Sequence, residues 1–197
     1  MRDFERMGHR EPEDDGRVTQ PLSAEPPVEL DGRAFRGDLD IRIDAQGGWH
    51  YNQSPIGRKA MVCLFASMLV RDKQLHYWLV TPTEVGRIDV DDAPLIAVDL
   101  YITGEGTDQD VSFCTNIDQL ISVTAKTPLV MKPSPVNGEM APYITNVDGI
   151  EAKLTRQVYY SLVEVAVVQT TPQGEDVLGI WSDNAFFPLG AIFEPDA

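Results

Sequence analysis

From residue 38 onward the chain alternates apolar and polar positions in short runs, most of them of strand length. Leu39, Ile41 and Ile43 alternate with Asp40, Arg42 and Asp44, the period of a half-buried strand. Asp44-Ala-Gln-Gly-Gly48 reads as a turn, and Trp49-His-Tyr51 as the returning strand. Ser54-Pro55, a capping hydroxyl followed by proline, predicts a helix start. Met61, Leu64, Phe65, Met68 and Leu69 recur at helical spacing and predict one buried stripe. Arg71 to Gln74 is a polar turn, and Leu75 to Thr81 an aromatic-rich strand stopped by Pro82.

The middle of the chain is a series of short apolar runs: Val85–Val90, Leu95–Tyr101, Val111–Cys114, Leu120–Thr124 and Pro128–Met131. With plain turns between them, they predict an antiparallel meander that can curl. Leu154 to Val168 predicts a second helix with Val158, Leu162 and Val165 or Ala166 inward, although its valine density also allows a strand in the latter part. Val177–Trp181 reads as a strand, and Phe186 to Leu189 should pack back on the body.

One pattern occurs twice. Residues 41–82 and 144–189 each run from an extended segment and an acidic–glycine turn through an arginine to an apolar stretch. Arg58 and Leu64 stand at the spacing of Arg156 and Leu162, and Trp78 and Trp181 close the two copies. Two related units create an interface, and clefts at such interfaces are where ligands tend to bind. The expected fold is therefore α+β with two related strand–helix–strand halves. A disordered acidic, proline-rich tail spans residues 1–37, an N-terminal α+β half 38–83, and a mostly-β half with a helix 84–197.

Charge narrows the classes of partner. Thirty-one Asp and Glu against 16 Lys and Arg leave a net charge of −15. Nucleic acid and an anionic membrane would both be repelled, so neither is expected as a partner. Cys63 and Cys114 are too few and too far apart for a disulfide framework and read as small buried hydrophobes. The first residues lack the apolar core of a signal peptide, and no run reaches membrane-spanning length. A cytoplasmic location is the expectation.

Ser54-Pro-Ile-Gly-Arg58, Tyr77-Trp-Leu-Val-Thr-Pro82, Gly86-Arg-Ile88 with Asp92-Ala-Pro94, Thr115-Asn116, Arg156 with Tyr159-Tyr160, and Gly179-Ile-Trp-Ser182 with Phe186-Phe-Pro-Leu-Gly190 follow one another in this order. Together, over about residues 38–190, they resemble a bacterial family known as domain of unknown function 1285. The resemblance implies a duplicated α+β structure whose C-terminal half is superficially like pleckstrin-homology folds. It also implies a nucleotide-like ligand between the halves and a role in signal transduction. Fold likeness alone does not carry function.

Each candidate site residue has a plain alternative. Arg58, beside Lys59 at a helix start, suits a phosphate, and equally a plain surface charge or an internal ion pair; Arg156 is its counterpart. Thr81, Glu84 and Arg87 on the connector between the halves offer hydrogen-bonding groups, or form a simple polar turn with a surface pair. Tyr143 and Trp181 could wall or stack on a ligand, whereas most of Tyr159, Tyr160, Phe186 and Phe187 should be core. Asn116 lies in a turn-forming Thr-Asn-Ile-Asp and is a lesser ligand candidate. Glu164, within an apolar stretch, is a candidate buried carboxylate, although a helix edge or a partner such as Arg156 explains it more simply.

Other constellations fail. Asp89, Asp91 and Asp92 lack calcium-loop spacing, and His9, His50 and His76 are scattered. No nucleophile elbow or phosphate-binding glycine loop is present. No catalytic residue, metal or cofactor is expected. The leading expectation is a non-enzymatic small-ligand-binding module with Arg58, Arg87 and Arg156 meeting negative charge. The alternatives are an enzyme acting on a nucleotide derivative and a protein–protein adaptor.

Overall fold

The computed structural model describes residues 26, 27, 29–171 and 173–191. Most of the expected tail, residues 1–25, lies outside them. Its last residues already belong to β1 (Ala34–Ile43). β2 (Trp49–Tyr51), β3 (Ser54–Pro55), α1 (Lys59–Ala66), β4 (Leu69–Arg71), β5 (Tyr77–Val80) and β6 (Glu84–Val90) complete a first unit. β7 (Leu95–Thr103), β8 (Asp110–Thr115), β9 (Leu120–Ser122), β10 (Leu129–Pro133), β11 (Met140–Thr145) and β12 (Glu151–Leu154) form a second. α2 (Arg156–Glu164), β13 (Val167–Thr170), β14 (Asp176–Ser182) and β15 (Ala185–Ala191) follow.

The two units share one topology. The first sheet has the order β3-β2-β1-β6-β5-β4 and the second β10-β11-β12-β7-β8-β9. In both, the first and last strands of the unit pair in parallel at the centre, β1 with β6 and β7 with β12. Antiparallel neighbours extend outward on either side. The topological repeat thus joins residues 34–90 to 95–154, not 41–82 to 144–189. The latter segments share a local succession, strands then helix then strands, which is what their residue patterns record. A division after residue 83 would cut between β5 and β6, which are hydrogen-bonded neighbours in one sheet. Over the described residues the protein is accordingly mostly β with two short α-helices, rather than a pair of strand–helix–strand halves.

β13, β14 and β15 make a third, antiparallel sheet. It is pinned to the second by Ser182, whose Oγ accepts from the Val111 N–H (3.0 Å) and donates to the Val123 carbonyl (2.7 Å). All three sheets and both helices contribute to one hydrophobic core, from Ile43 and Leu79 through Phe113 and Ile144 to Leu162 and Ile180.

The predicted helices are displaced for local reasons. Asn52 and Gln53 both have positive φ (46° and 63°), so they form a tight two-residue turn. That turn folds Ser54-Pro55 back against β2 as a strand. α1 therefore starts only at Lys59, and the expected buried stripe does not form. Met61 and Leu64 point outward, 40% and 57% exposed, while Ala66 is buried and Val62 and Phe65 are partly so. Leu69 is buried, but in β4. In α2, Thr155 caps the start by accepting from the Val158 N–H (3.2 Å), and Val158 and Leu162 face the core as expected. The helix ends at Glu164, an exposed residue, and the following valines take up β13. Cys63 and Cys114 are half-buried free thiols.

Among the described residues, five hairpins are closed by one kind of turn. Asp44, Asp72, Thr115, Asn146 and Thr171 each accept, at the carbonyl, the N–H three residues on, and give their own N–H to the carbonyl four residues on. Each side-chain oxygen also accepts the N–H four residues on, over 2.8 Å at Gly48 and His76, 3.1 Å at Gln119, 2.9 Å at Ile150 and 3.2 Å at Glu175. The geometry requires positive φ at the fourth residue of the turn. That residue is Gly47, Gly149 or Gly174 in three cases, Asp118 in a fourth and Leu75 in the fifth, at φ 70°. Glycine takes this conformation freely and aspartate tolerates it, whereas leucine is strained by it.

Candidate functional site: a charged cleft between the two sheets

A cleft of about 490 Å³ opens between the first and second sheets. Arg71 at the end of β4, Tyr77 on β5 and Arg87 to Val90 on β6 form one side. Lys132 and Pro133 of β10, Pro135 beyond it and Glu151 at the start of β12 form the other, with Asp92 in the connector between. Leu75 and His76, at the tip of the β4–β5 hairpin, stand at its mouth. The size suits a small organic ligand.

At the base lies a set of paired charges. Glu151 is almost fully buried and receives Arg71 Nη2 at 3.1 Å, the Lys132 ammonium, and the Tyr77 hydroxyl at 3.5 Å. The Arg71 guanidinium stacks over the Tyr77 ring (5.3 Å), and Lys132 stands over Tyr143 (4.4 Å). Burial pushes the Tyr77 hydroxyl well above the ordinary tyrosine range, and nearby Glu151 adds to this against the opposing Arg71. Asp92 is satisfied three times over: by the Tyr143 hydroxyl at 2.6 Å, by Ser134 Oγ at 2.8 Å and by the Lys153 ammonium. Burial alone would raise the Asp92 pKa, but these three bonds outweigh it and hold the carboxyl below its ordinary value.

Three cations, Arg71, Arg87 and Lys132, face three carboxylates, Asp89, Asp92 and Glu151, so the lining is formally neutral. In a chain with 31 acidic and 16 basic side chains, that is a local enrichment of positive charge. The hydrogen-bond balance is less even. Glu151 and Asp92 are each saturated with donors, whereas Arg71 Nε is buried with no partner among the described residues. Arg87 engages Asp38 through Nε alone (2.8 Å), and Lys132 uses its ammonium on one carboxylate oxygen. Of the acids, Asp89 stands exposed at the rim without a partner among the described residues. A buried unmet donor costs about 1–3 kcal/mol. The lining therefore has donors to spare.

The residues expected to form the site do not converge. Arg87 lines the cleft. Tyr143 lies directly beneath it, 2% exposed, and its ring is covered by Lys132. Thr81 closes the β5–β6 turn, its Oγ1 accepting from the Glu84 N–H (2.9 Å) and donating to the Glu84 carbonyl (3.0 Å). Glu84 pairs with Arg36 (2.9 Å). Asn116 joins the two units: its Oδ1 accepts from the Ile96 N–H (3.1 Å) and its Nδ2 donates to the Gly47 carbonyl (3.5 Å). Arg58 and Arg156 are exposed at the starts of α1 and α2, and neighbouring Lys59 pairs with Asp118 (2.7 Å). Trp181 lies in the third sheet, edge-on to Phe186 with ring centroids 5.5 Å apart. Neither aromatic expected to stack on a ligand presents a face to the cleft.

The sequence pattern does not mark Arg71, Lys132, Asp92 or Glu151 as site residues. The β12 segment Glu151-Ala-Lys-Leu154 held a usable signal. Glu151 and Lys153 share one face by strand period, and a strand whose other face is Ala152 and Leu154 sits within the core. Charges on such a strand must find partners.

Comparison with known proteins agrees with this two-part organisation. The family model described as "Domain of unknown function (DUF1285), N-terminal domain" matches residues 26–93, and "Protein of unknown function (DUF1285), C-terminal domain" matches residues 94–189. The chain belongs to this family. A DUF1285 family protein from Silicibacter pomeroyi DSS-3 is 35% identical over 87% of this chain and 92% of its own, with a TM-score of 0.74. Another, from Shewanella baltica OS155, is 31% identical over 64% of this chain and 91% of its own, with a TM-score of 0.51. No curated protein matches the chain. Among the described residues, no helix is long and apolar enough to cross a membrane.

Proposed function

We propose that the protein is a non-enzymatic cytoplasmic binding module that holds a small anionic ligand in the cleft between its two sheets and serves in signal transduction. The observation that carries this reading is the unused donor capacity of Arg87 and Lys132 beside Glu151 and Asp92, carboxylates that are already saturated. An anion would find free N–H groups on Arg87 and Lys132; among the described lining carboxylates, a cation would find only Asp89 without a partner. A ligand held by Arg71 and Arg87 of one sheet and Lys132 of the other would favour one relative arrangement of the sheets over another. Such differential affinity is how binding reaches a distant surface.

The test is a thermal-shift titration of the full chain with inorganic phosphate, nucleotides and phosphorylated cofactors. A ligand of the folded state raises the midpoint with concentration. The Arg87→Ala variant, which gives up only a half-exposed pair with Asp38, should lose the shift while remaining folded. A shift that survives Arg87→Ala would place binding elsewhere. No shift with any anion would sink the reading and favour a protein–protein adaptor.

A further inference from the structure

The mouth of the cleft differs from its base. Leu75 is 62% exposed there, with Pro133 and Pro135 across the opening and Ile88 and Val90 on the wall. Leu75 also sits where its own backbone opposes it. Four other hairpins of this chain build the same turn, and none uses a bulky apolar side chain at the strained position: three have glycine and one has aspartate. The tip is not loose. Asp72 receives the N–H groups of Gln74 (2.9 Å) and His76 (2.8 Å) and the Trp78 indole N–H (2.8 Å). It thus holds Leu75 in place over the opening. Glycine would take this backbone conformation with less strain, and most of the leucine side chain is left facing solvent at the cleft.

Resting on the anion reading of the cleft, we infer that the ligand is a soluble phosphate monoester with a short apolar substituent. Its phosphate would meet Arg71, Arg87 and Lys132, and its substituent would pack against Leu75, Pro133 and Pro135. Three cations from separate strands suit the three free oxygens of a monoester better than the two of a carboxylate. An anionic bilayer is a poor source of that headgroup for a chain of net charge −15.

Isothermal titration with inorganic phosphate and with hexyl phosphate separates the parts. Hexyl phosphate should bind the full chain about tenfold or more tightly than phosphate, the order expected for burying one leucine-sized contact. Leu75→Gly should lower that preference to about threefold or less, leave phosphate affinity unchanged, and raise the melting temperature by removing the strain. Leu75→Asn, which also accepts positive φ, should do the same to the preference. Arg87→Ala should weaken both probes. Equal affinity of the two probes, or a preference that persists in Leu75→Gly, overturns the inference while leaving the anion reading standing. Binding of neither probe removes both. Co-sedimentation with phosphatidate-containing vesicles, abolished by Arg87→Ala, would overturn the soluble form of the ligand.

Discussion

Tyr143 gives its hydroxyl hydrogen to Asp92 across 2.6 Å, and so ties β11 in the second sheet to the connector that leaves the first. The Asp92 side chain is fully buried, and Ser134 and Lys153 complete its coordination. The bond fixes where one unit stops and the other begins. Tyr143→Phe keeps the ring and removes one donor, and should cost about 1–2 kcal/mol in urea unfolding. Asp92→Asn leaves Lys153 without its carboxylate and should cost about 2–3 kcal/mol, reduced from a fully buried pair because Lys153 is partly exposed. If the two variants unfold with the wild type, the network does not staple the units.

The same carboxylate makes stability depend on acid. Burial raises the pKa values of Asp92, Asp72 and Asp44, but their hydrogen bonds outweigh it and hold all three below the ordinary 3.8. Lysine, tyrosine and serine supply the bonds at Asp92; Trp78 and His76 at Asp72; His50 and two backbone N–H groups at Asp44. A depressed carboxylate stabilises the fold above its unfolded pKa, and the contribution disappears as pH falls through the folded value. The melting temperature should therefore drop as pH goes below about 4. The drop should be shallower in Asp92→Asn. An acid limb of unchanged slope in that variant would show that Asp92 is not among the groups responsible.

Gly47 is where a turn of the first unit meets the second. Its φ is 77°, and a Cβ there would stand 2.6 Å from Ile96 Cγ1 and 3.0 Å from Asn116 Nδ2. Gly47→Ala should cost about 1 kcal/mol for the backbone and more for the displaced contact. Gly149 occupies the same kind of turn between β11 and β12, at φ 79° with open space around it. Gly149→Ala should therefore cost only the backbone share. Equal losses in chemical denaturation would mean that the contact between the units carries no energy.

What the residue pattern revealed, and what it hid, follows from the range of the interactions. Period-two alternation located Ile41 and Ile43, and the acid–glycine turn at Asp44 recurs at Asn146 with the same hydrogen bonds. Turn chemistry is local, so it was legible. The displaced start of α1 was also local in cause, because Asn52 and Gln53 at positive φ turn Ser54-Pro55 into a strand. The cleft was not legible. Arg71 and Glu151 meet only because β4 is at the edge of one sheet and β12 near the centre of another. Nothing near either residue in the chain reports the other. Tyr143, 2% exposed, offers no aromatic face to the cleft; its hydroxyl is what matters.

Two further glycines separate a hard steric limit from a soft one. At Gly179, on the bulged stretch of β14, a Cβ would lie 2.5 Å from the Phe187 carbonyl oxygen and 2.4 Å from Phe186 Cζ. The carbonyl belongs to the paired strand β15 and cannot rotate away, so an alanine must push the two strands apart. At Gly86 the nearest atoms are the Leu39 side chain, 2.4 Å from the same position. Leu39 is only half-buried and can change rotamer. Gly179→Ala should thus cost about 2–3 kcal/mol and Gly86→Ala about 1 kcal/mol. Thermal unfolding of the two variants side by side measures the difference, and a reversed order would mean that Leu39 is held as rigidly as the strand.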